Sequence, residues 1–236
     1  MNRFWVVIIL FLFLILVTSD VNAAGALKSV KIYEGIDQRR PRQTSQTLGR
    51  RYVWNFENLS YTVSMSIDIE HYNSYTSRKR TDFPLMVREG TDTLQDLIRE
   101  FRRAMSSTWG EERQVNFMLA FVQSLPYTYD NVTTGYDEFR RYAIETLIEG
   151  GGDCEGTSVL AASILSGLGF ELALISPPGH IAVGVKGNFS GVPFRYGNNR
   201  YYYCETTGTG WKVGQLPPSY ASKKTTIIPI SAQTVQ

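Results

Sequence analysis

The sequence predicts an α+β fold in which helices come before an antiparallel β-sheet. Two runs of alternating apolar residues, at 52–56 and 59–69, are typical of paired strands. Apolar residues then recur at helical spacing between residues 94 and 167. Short apolar segments follow between 171 and 230. A chain that groups its helices ahead of most of its strands belongs to the α+β class.

The first structural element is a β-hairpin. Tyr52, Trp54 and Phe56 alternate with polar residues, and so does every second residue from 59 to 69. Glu57-Asn58 lies between the two runs, which fits a two-residue hairpin turn.

Helices follow the hairpin. Thr91-Asp92-Thr93 offers N-cap side chains to the first of them, and Pro126 ends the second. The glycines at 150–152 separate a short third helix from a long apolar one. The apolar stripes predict helices over residues 94–105, 115–125, 142–149 and 153–167. Strands are then expected near residues 171–176, 181–186, 200–206 and 225–230.

The first residues are expected to act in export. An apolar run at residues 4–17 follows Arg3 and is shorter than the ~20 residues that span a bilayer comfortably. It suits the core of a secretory signal, and Val21-Asn22-Ala23 supplies small residues for cleavage before Ala24. We expect residues 1–23 to be a signal peptide or, if uncleaved, a membrane anchor. The rest of the chain is expected to be secreted or held in the cell envelope.

The predicted organisation is one main domain with an N-terminal addition. Residues 24–49 are polar and weakly periodic, and we expect a flexible lead there. Residues 50–90 are expected to form an N-terminal β region, and residues 91–236 the domain that carries the chemistry.

Composition excludes several classes of function. The 236 residues carry a formal net charge of +2, and the short basic runs lack a base-stacking pattern, so no nucleic-acid partner is expected. No Gly-Lys-Ser/Thr follows the triple glycine, which excludes a phosphate loop. With two histidines and no Cys-x-x-Cys, the chain offers no zinc shell. We therefore expect no metal and no cofactor.

Three residues in chain order carry the candidate chemistry. Cys154 begins the long apolar helix, His180 follows in the next strand region, and Glu205 comes later still. A thiol nucleophile needs an attacking sulfur, a proton acceptor and an orienting group, and these residues supply all three. A free thiol is mostly protonated at neutral pH. The positive end of a helix and a neighbouring imidazolium would both favour the thiolate.

Neighbouring residues are given supporting or structural roles. Asp153 is expected to cap the helix, and Gln123 is a candidate second donor to an oxyanion. Small residues after His180 are expected to leave room for a bound chain. Cys204 points to the opposite side of its strand from Glu205, so we expect a buried apolar residue rather than a disulfide with Cys154.

The three segments together resemble the transglutaminase-like superfamily of cysteine enzymes, especially its archaeal and bacterial members. The similar motifs are Gly-Gly-Asp-Cys-Glu at 151–155, Pro-Gly-His-Ile-Ala-Val-Gly-Val at 178–185 and Tyr-Cys-Glu-Thr-Thr at 203–207. The stretches at 121–127 and 145–147 are similar as well, so the resemblance covers about residues 111–211.

The resemblance implies a papain-like core, in which a helix bearing the nucleophile packs on an antiparallel sheet bearing the histidine and the acid. It implies Cys154 as nucleophile, His180 as general base and then acid, and Glu205 as orienting acid. Two positions depart from the family pattern. Glu205 stands where Asp is more common, and Gly156 stands where an acid usually follows Cys-Glu.

The leading hypothesis is an exported thiol enzyme that acts on amide bonds of protein or peptide substrates through an acyl-enzyme. Water as acceptor makes it a protease or amidase, which the resemblance to microbial members favours, and an amine makes it a transamidase. The alternatives are a non-catalytic envelope module that binds peptide or glycan in the same cleft, and a docking module of a membrane complex. Gly156 and the aromatic residues at 194–203 favour the binding module, although those aromatics also suit cross-strand pairs.

Overall fold

The computed structural model of the protein describes residues 27–31, 46–129 and 139–230. The helices are α1 (Ile69–Thr76), α2 (Phe83–Thr93), α3 (Gln95–Ala104), α4 (Glu111–Val122), α5 (Ala143–Glu149) and α6 (Cys154–Gly167), with a 3₁₀ turn at Pro218–Tyr220. The strands are β1 (Leu27–Lys31), β2 (Thr47–Phe56), β3 (Leu59–Asp68), β4 (Leu172–Ser176), β5 (Ala182–Lys186), β6 (Phe194–Tyr196), β7 (Asn199–Cys204) and β8 (Thr226–Ile230).

The predicted hairpin is present. β2 and β3 pair antiparallel with Phe56 opposite Leu59, and Glu57 takes a φ of 54° in the turn. β1 pairs with β3 in parallel, and it lies inside the stretch for which we expected a flexible lead. β3 ends at Asp68, one residue earlier than the predicted strand. Asp68 is the N-cap of α1, and its carboxylate accepts hydrogen bonds from the backbone N–H groups of Glu70 and His71.

The helix expected over residues 94–105 is confirmed as α3, but the prediction of its cap at residues 91–93 is wrong. These residues end α2 and do not cap α3, which begins after Leu94 without a side-chain cap. The N-cap of α2 is Asp82, whose carboxylate accepts from Leu85 N at 2.9 Å. The Thr91 hydroxyl is used elsewhere, because its single proton is shared between a carbonyl on α2 at 3.0 Å and one on α6 at 2.9 Å. Neither α1 nor α2 was predicted from the sequence.

The helices expected around 115–125, 142–149 and 153–167 are confirmed, and α6 lies at the centre of the molecule. Every residue of α6 from Gly156 to Leu165 is buried. Helices α2, α4 and α5 pack around it, and β4 and β5 cover another side. A helix without a continuous polar face is suited to the interior of a domain, and α6 is such a helix.

The second sheet has the order β6-β7-β5-β4-β8, and every pair in it is antiparallel. Helices thus precede an antiparallel sheet on which α6 packs, and the predicted α+β class is confirmed. β6 was not predicted, since a strand of three residues leaves little periodic signal.

The hairpin and the later elements share one hydrophobic core. Trp54 of β2 stacks on Tyr61 of β3 and contacts Phe101, Phe117 and Phe121 of α3 and α4. The same cluster of buried side chains continues to β8 at the far end of the chain. The N-terminal β region is therefore packed into the domain that bears the candidate site.

In the part of the chain that the structure describes, no helix is long and apolar enough to cross a bilayer. The apolar run at residues 4–17 and the expected cleavage site before Ala24 lie outside the described residues.

Candidate active site

Cys154 occupies the first helical position of α6. Asp153 is the N-cap, and its carboxylate accepts from Gly156 N at 2.9 Å, as the sequence predicted. Cys154 itself is partly buried, so its sulfur lies near the surface at the positive end of a 14-residue helix.

The glycines before Cys154 make room for the chain's own backbone. Gly150 ends α5 with a φ of 79°, which favours glycine. Thr128 N donates to Gly152 O at 3.1 Å, and Gly152 N donates to Pro126 O at 3.3 Å. A Cβ on Gly151 would lie 2.5 Å from Pro126 O. Residues 126–128 of the same chain thus approach Gly151 and Gly152 closely and occupy the space beside them.

His180 lies in a turn and not in the strand expected to begin there. Its N–H donates to Pro177 O at 3.2 Å, and Gly179 takes a φ of 71°. β5 starts two residues later, at Ala182. The small residues of β5 do not leave room for a bound chain, because a Cβ on Gly184 would lie 2.7 Å from the Ile175 side chain.

Glu205 directly follows β7, and its carboxylate is fully engaged. Oε1 accepts from Thr206 N and Thr207 N at 3.0 Å each and from the Thr207 hydroxyl at 2.7 Å. Oε2 accepts from the Tyr203 hydroxyl at 3.0 Å and lies 3.0 Å from His180 Nε2. Because an ionised carboxylate can only accept, Nε2 carries the proton in this contact.

His180 connects the other two residues. Cys154 lies close enough to the ring for its thiol and its charge both to raise the pKa of His180, in addition to the contact with Glu205. Since Nε2 faces Glu205, Nδ1 is the nitrogen left for the sulfur. Burial lowers the pKa of His180, but the hydrogen bonds and charges of Cys154 and Glu205 outweigh it and raise the pKa to about 9.

Glu205 shows the opposite shift. Burial raises the pKa of its carboxyl, but hydrogen bonds from His180 and Thr207 and the imidazolium charge lower it to about 2. The side chains of His180 and Glu205 are only 10% and 5% exposed. At neutral pH the pair is therefore a largely buried imidazolium–carboxylate contact.

The structure adds two aromatic residues to the site, of which Tyr203 was expected only in an aromatic cluster and Tyr220 was not predicted. Tyr203 is fully buried and donates to Glu205, and burial followed by the Glu205 charge raises the pKa of its phenol. Its position two residues before Glu205, on the same strand face, is a signal that could have been used. Tyr220 stacks on the imidazole of His180, with ring centroids 5.1 Å apart and an interplanar angle of 8°. It lies 40 residues further along the chain than His180, in an irregular segment whose sequence has no periodic apolar pattern.

Gln123 has a different role from the one expected. Its Nε2 donates to Glu205 O at 2.9 Å and to Trp211 O at 3.0 Å, and its Oε1 accepts from Gly210 N at 3.0 Å. Both amide protons are used by backbone carbonyls, so in this structure the side chain is not an oxyanion donor. It ties α4 to the segment that holds Glu205.

Cys204 and Cys154 are both free cysteines. Cys204 is fully buried, and burial raises the pKa of its thiol, so the prediction of a buried apolar role is confirmed. The aromatic residues Tyr201, Tyr202 and Tyr203 are also buried, and Phe194 pairs with Tyr201 across β6 and β7. The three tyrosines therefore do not form an exposed binding surface.

Comparison with known proteins gives weak structural likenesses. No protein-family model and no curated protein matches the sequence. Calcium-bound LapG of Legionella pneumophila has a TM-score of 0.37 and 15% identity, over 69% of this chain and 82% of LapG. A second LapG structure has a TM-score of 0.33 and 12% identity, over 57% and 81%. A protein of Cytophaga hutchinsonii described as a candidate cysteine protease has a TM-score of 0.36 and 12% identity, over 80% and 82%.

Proposed function

We propose that the protein is an exported thiol enzyme that acts on amide bonds of proteins or peptides through an acyl-enzyme on Cys154. The observation that carries the proposal is the position of the His180 ring, whose Nε2 lies 3.0 Å from Glu205 Oε2 and which is close enough to Cys154 for that residue to raise the pKa of His180. This order of sulfur, imidazole and carboxylate is what an activated thiol nucleophile requires.

The proposed first step is attack by the Cys154 thiolate on the amide carbon. The new C–S bond forms as the carbonyl π electrons move to oxygen, and we assign binding of the oxyanion to first-turn backbone N–H groups of α6 other than that of Gly156, which donates to Asp153. The C–N bond then breaks, and the imidazolium of His180 gives its proton to the leaving amine. The product is a thioester on Cys154 and a neutral imidazole.

The second step returns the enzyme to its starting state. Neutral His180 takes a proton from water, and the hydroxide attacks the thioester carbon as the thiolate leaves. The result is a carboxylic acid and a restored thiolate–imidazolium pair. An amine in place of water would give a new amide by the same steps, and we propose hydrolysis as the main outcome. Glu205 keeps Nε2 protonated and turns Nδ1 toward sulfur throughout.

The proposed catalytic roles of His180 and Glu205 also account for the burial of these two side chains. His180 and Glu205 are shielded from solvent, and their charges act strongly on each other in such surroundings. Export is supported by the sequence of residues 4–17 and their flanks. The alternative of a peptide- or glycan-binding module depended on Gly156 and on the aromatic residues at 194–203, and three of those aromatics, Tyr201, Tyr202 and Tyr203, are buried.

The test compares the purified full chain with Cys154→Ala on a mixture of peptides, with and without an added alkylamine. We expect cleaved peptides from the wild type, a thioester adduct on Cys154 in quenched samples, and neither product from Cys154→Ala. Cys204→Ala is the matched control and should retain turnover, since Cys204 is buried on the far face of β7. Iodoacetamide modification of Cys154 no faster than that of glutathione at pH 7, with no peptide turnover, would refute the proposal.

N-terminal sequencing of the protein recovered from its native host checks export separately. We expect a mature chain that begins at Ala24. An intact N-terminus in a cytoplasmic fraction would contradict that part of the proposal.

A further inference from the structure

A buried network of hydroxyl groups joins the three elements that carry the candidate catalytic residues. The Thr206 hydroxyl lies 2.9 Å from the Thr157 hydroxyl and 3.2 Å from the Ser158 hydroxyl. Ser158 Oγ is 3.1 Å from Ile181 O, and Thr157 Oγ1 is 2.7 Å from Asp153 O. The three hydroxyl side chains are at most 2% exposed.

The direction of each hydrogen bond follows from counting protons. A carbonyl oxygen can only accept, so Ser158 donates to Ile181 O, and Thr157 donates to Asp153 O. Each hydroxyl has one proton, so neither residue has one left for Thr206. Thr206 therefore donates its proton to Thr157 Oγ1, with Ser158 Oγ as the longer second contact. The chain of bonds runs from Thr206 through Thr157 to the backbone at Asp153.

Each end of this network is next to a candidate catalytic residue. Asp153 precedes Cys154, Ile181 follows His180, and Thr206 follows Glu205. The network thus fixes the start of α6, the turn before β5 and the end of β7 relative to one another. Thr206 has a further link to the site, because its backbone N–H donates to Glu205 Oε1 at 3.0 Å.

We propose that Thr206 is a positioning residue, whose hydroxyl sets the distances among Cys154, His180 and Glu205. The inference rests on the proposed catalytic use of these three residues. Thr206 is buried behind the site and contacts no reacting atom in this arrangement. Its effect passes through the backbone on either side of the catalytic side chains, where small displacements cost large factors in rate.

The substitution that isolates the hydroxyl is Thr206→Val. Valine keeps the shape and the backbone N–H bond to Glu205, and Thr157 and Ser158 keep their carbonyl acceptors. No donor is left unpaired, so the variant should fold. Thr206→Ser restores the hydroxyl without the methyl group. The matched control is Thr62→Val in β3, since Thr62 is 4% exposed and its hydroxyl has no hydrogen-bond partner among the described residues.

Two measurements report on the site without a known substrate. The first is the titration of His180 by NMR, for which His71 is an internal reference, because the chain has two histidines. The second is the rate at which iodoacetamide modifies Cys154 at pH 6. In Thr206→Val we expect the pKa of His180 to fall from about 9 by roughly one unit and the modification rate to fall roughly tenfold. Thr206→Ser should recover most of both values, and Thr62→Val should match the wild type.

Wild-type values of both measurements in a folded Thr206→Val would overturn the proposal. If that variant does not fold, Ser158→Ala takes its place, because it removes the link to Ile181 O and the longer contact with Thr206 but leaves the bond between Thr206 and Thr157. A folded Ser158→Ala with an unchanged His180 titration would likewise overturn it. The proposed function fails on a different result, a wild-type Cys154 without turnover, whatever the titration of His180 does in the variants.

Discussion

The Tyr220 ring lies parallel to the His180 imidazole, with centroids 5.1 Å apart and planes inclined by 8°. Tyr220 ends the 3₁₀ turn Pro218–Tyr220, where Pro217 and Pro218 restrict the backbone before it. It packs against the cluster of buried side chains on the face of β5 and β7 that bears the site. One face of the imidazole is therefore covered by an aromatic ring that arrives from a distant part of the chain.

Replacing Tyr220 should change the proton affinity of His180. An aromatic face attracts a cation by about 0.5–2 kcal/mol, which favours the imidazolium. In Tyr220→Leu we expect the pKa of His180 to fall below about 9, by up to about one unit, while Tyr220→Phe keeps it. NMR titration measures both. The control is Tyr196→Leu, because Tyr196 is 50% exposed on β6. A His180 titration that is the same in Tyr220→Leu and in the wild type would contradict the role of the stack.

Glu205→Gln should lower activity and move its pH dependence. His180 must be protonated to give a proton to the leaving amine, so activity should fall as the pH rises through about 9. Glutamine removes the negative charge that favours the imidazolium, and the pKa of His180 should drop by roughly 1–3 units. The alkaline limb of the kcat/KM profile should move down by the same amount, and the rate at its maximum should fall roughly 10²-fold or more. An alkaline limb that does not move would show that Glu205 does not set the charge of His180.

The stability of the folded protein should depend on pH through the same pair. The pKa of Glu205 is lowered from 4.5 to about 2, so its contribution is complete above pH 4.5 and is lost as the pH falls through about 2. The pKa of His180 is raised from 6.5 to about 9, so its contribution is complete below pH 6.5 and is lost as the pH rises through about 9. The joint contribution should be largest between about pH 4.5 and 6.5.

Urea unfolding at several pH values measures this dependence. The difference in free energy of unfolding between the wild type and Glu205→Gln should be largest inside that window and should shrink on both sides. His71→Gln serves as a control for histidine loss elsewhere, because His71 lies in α1, away from the site. A difference between wild type and Glu205→Gln that is constant from pH 3 to pH 10 would rule out the linkage.

The sequence predicted those parts of the fold that have a regular local pattern. The hairpin, α4, α5, α6 and most strands of the second sheet follow from apolar periodicity and from turn residues. Helices α1 and α2 were missed because their signals are mixed. Asp68 stands within the alternating apolar run that predicts a strand, and the hydroxyl of Thr91, which looks like a cap, bonds to a carbonyl of α6. Only the folded chain brings that carbonyl near.

The candidate site also combines residues that a local sequence pattern identifies with contacts that form only in the folded chain. Cys154, His180 and Glu205 could be selected from residue type and order, and the structure places His180 in contact with Glu205 and close enough to Cys154 for that residue to raise its pKa. The contacts of Gln123 and Tyr220 could not be predicted, since they depend on how the segment after β7 folds back. Gln123 was assigned to the oxyanion because only its residue type and helix were known.

Gln123→Leu should loosen the segment after β7. The substitution removes one buried and two partly buried hydrogen bonds and leaves the carbonyls of Glu205 and Trp211 and the N–H of Gly210 without their partner. We expect a loss of at least ~2 kcal/mol in the free energy of unfolding and slower modification of Cys154 by iodoacetamide. Gln95→Leu is the control, because Gln95 makes one local bond to Thr91 O. Gln123→Leu as stable as Gln95→Leu would show that the contacts with Gln123 do not hold this segment.

Gly151→Ala tests whether the entry to α6 is as tight as the contacts require. A Cβ at this position would lie 2.5 Å from Pro126 O, so the backbone at 126–128 or at 150–152 would have to move. Because Gly152 pairs with the same segment and Cys154 follows two residues later, we expect a loss of about 1–3 kcal/mol in stability together with slower modification of Cys154.

Gly110→Ala gives the matched comparison for this prediction. Gly110 caps α4 with a φ of −67°, and a Cβ there would meet nothing within 4 Å. The same added methyl group should therefore change stability by less than about 1 kcal/mol, as at other helix caps where alanine replaces glycine. If Gly151→Ala were as stable and as reactive as Gly110→Ala, residues 126–128 would have to move away from the added methyl group at little cost in free energy. The close contact at Gly151 would then play no part in placing Cys154.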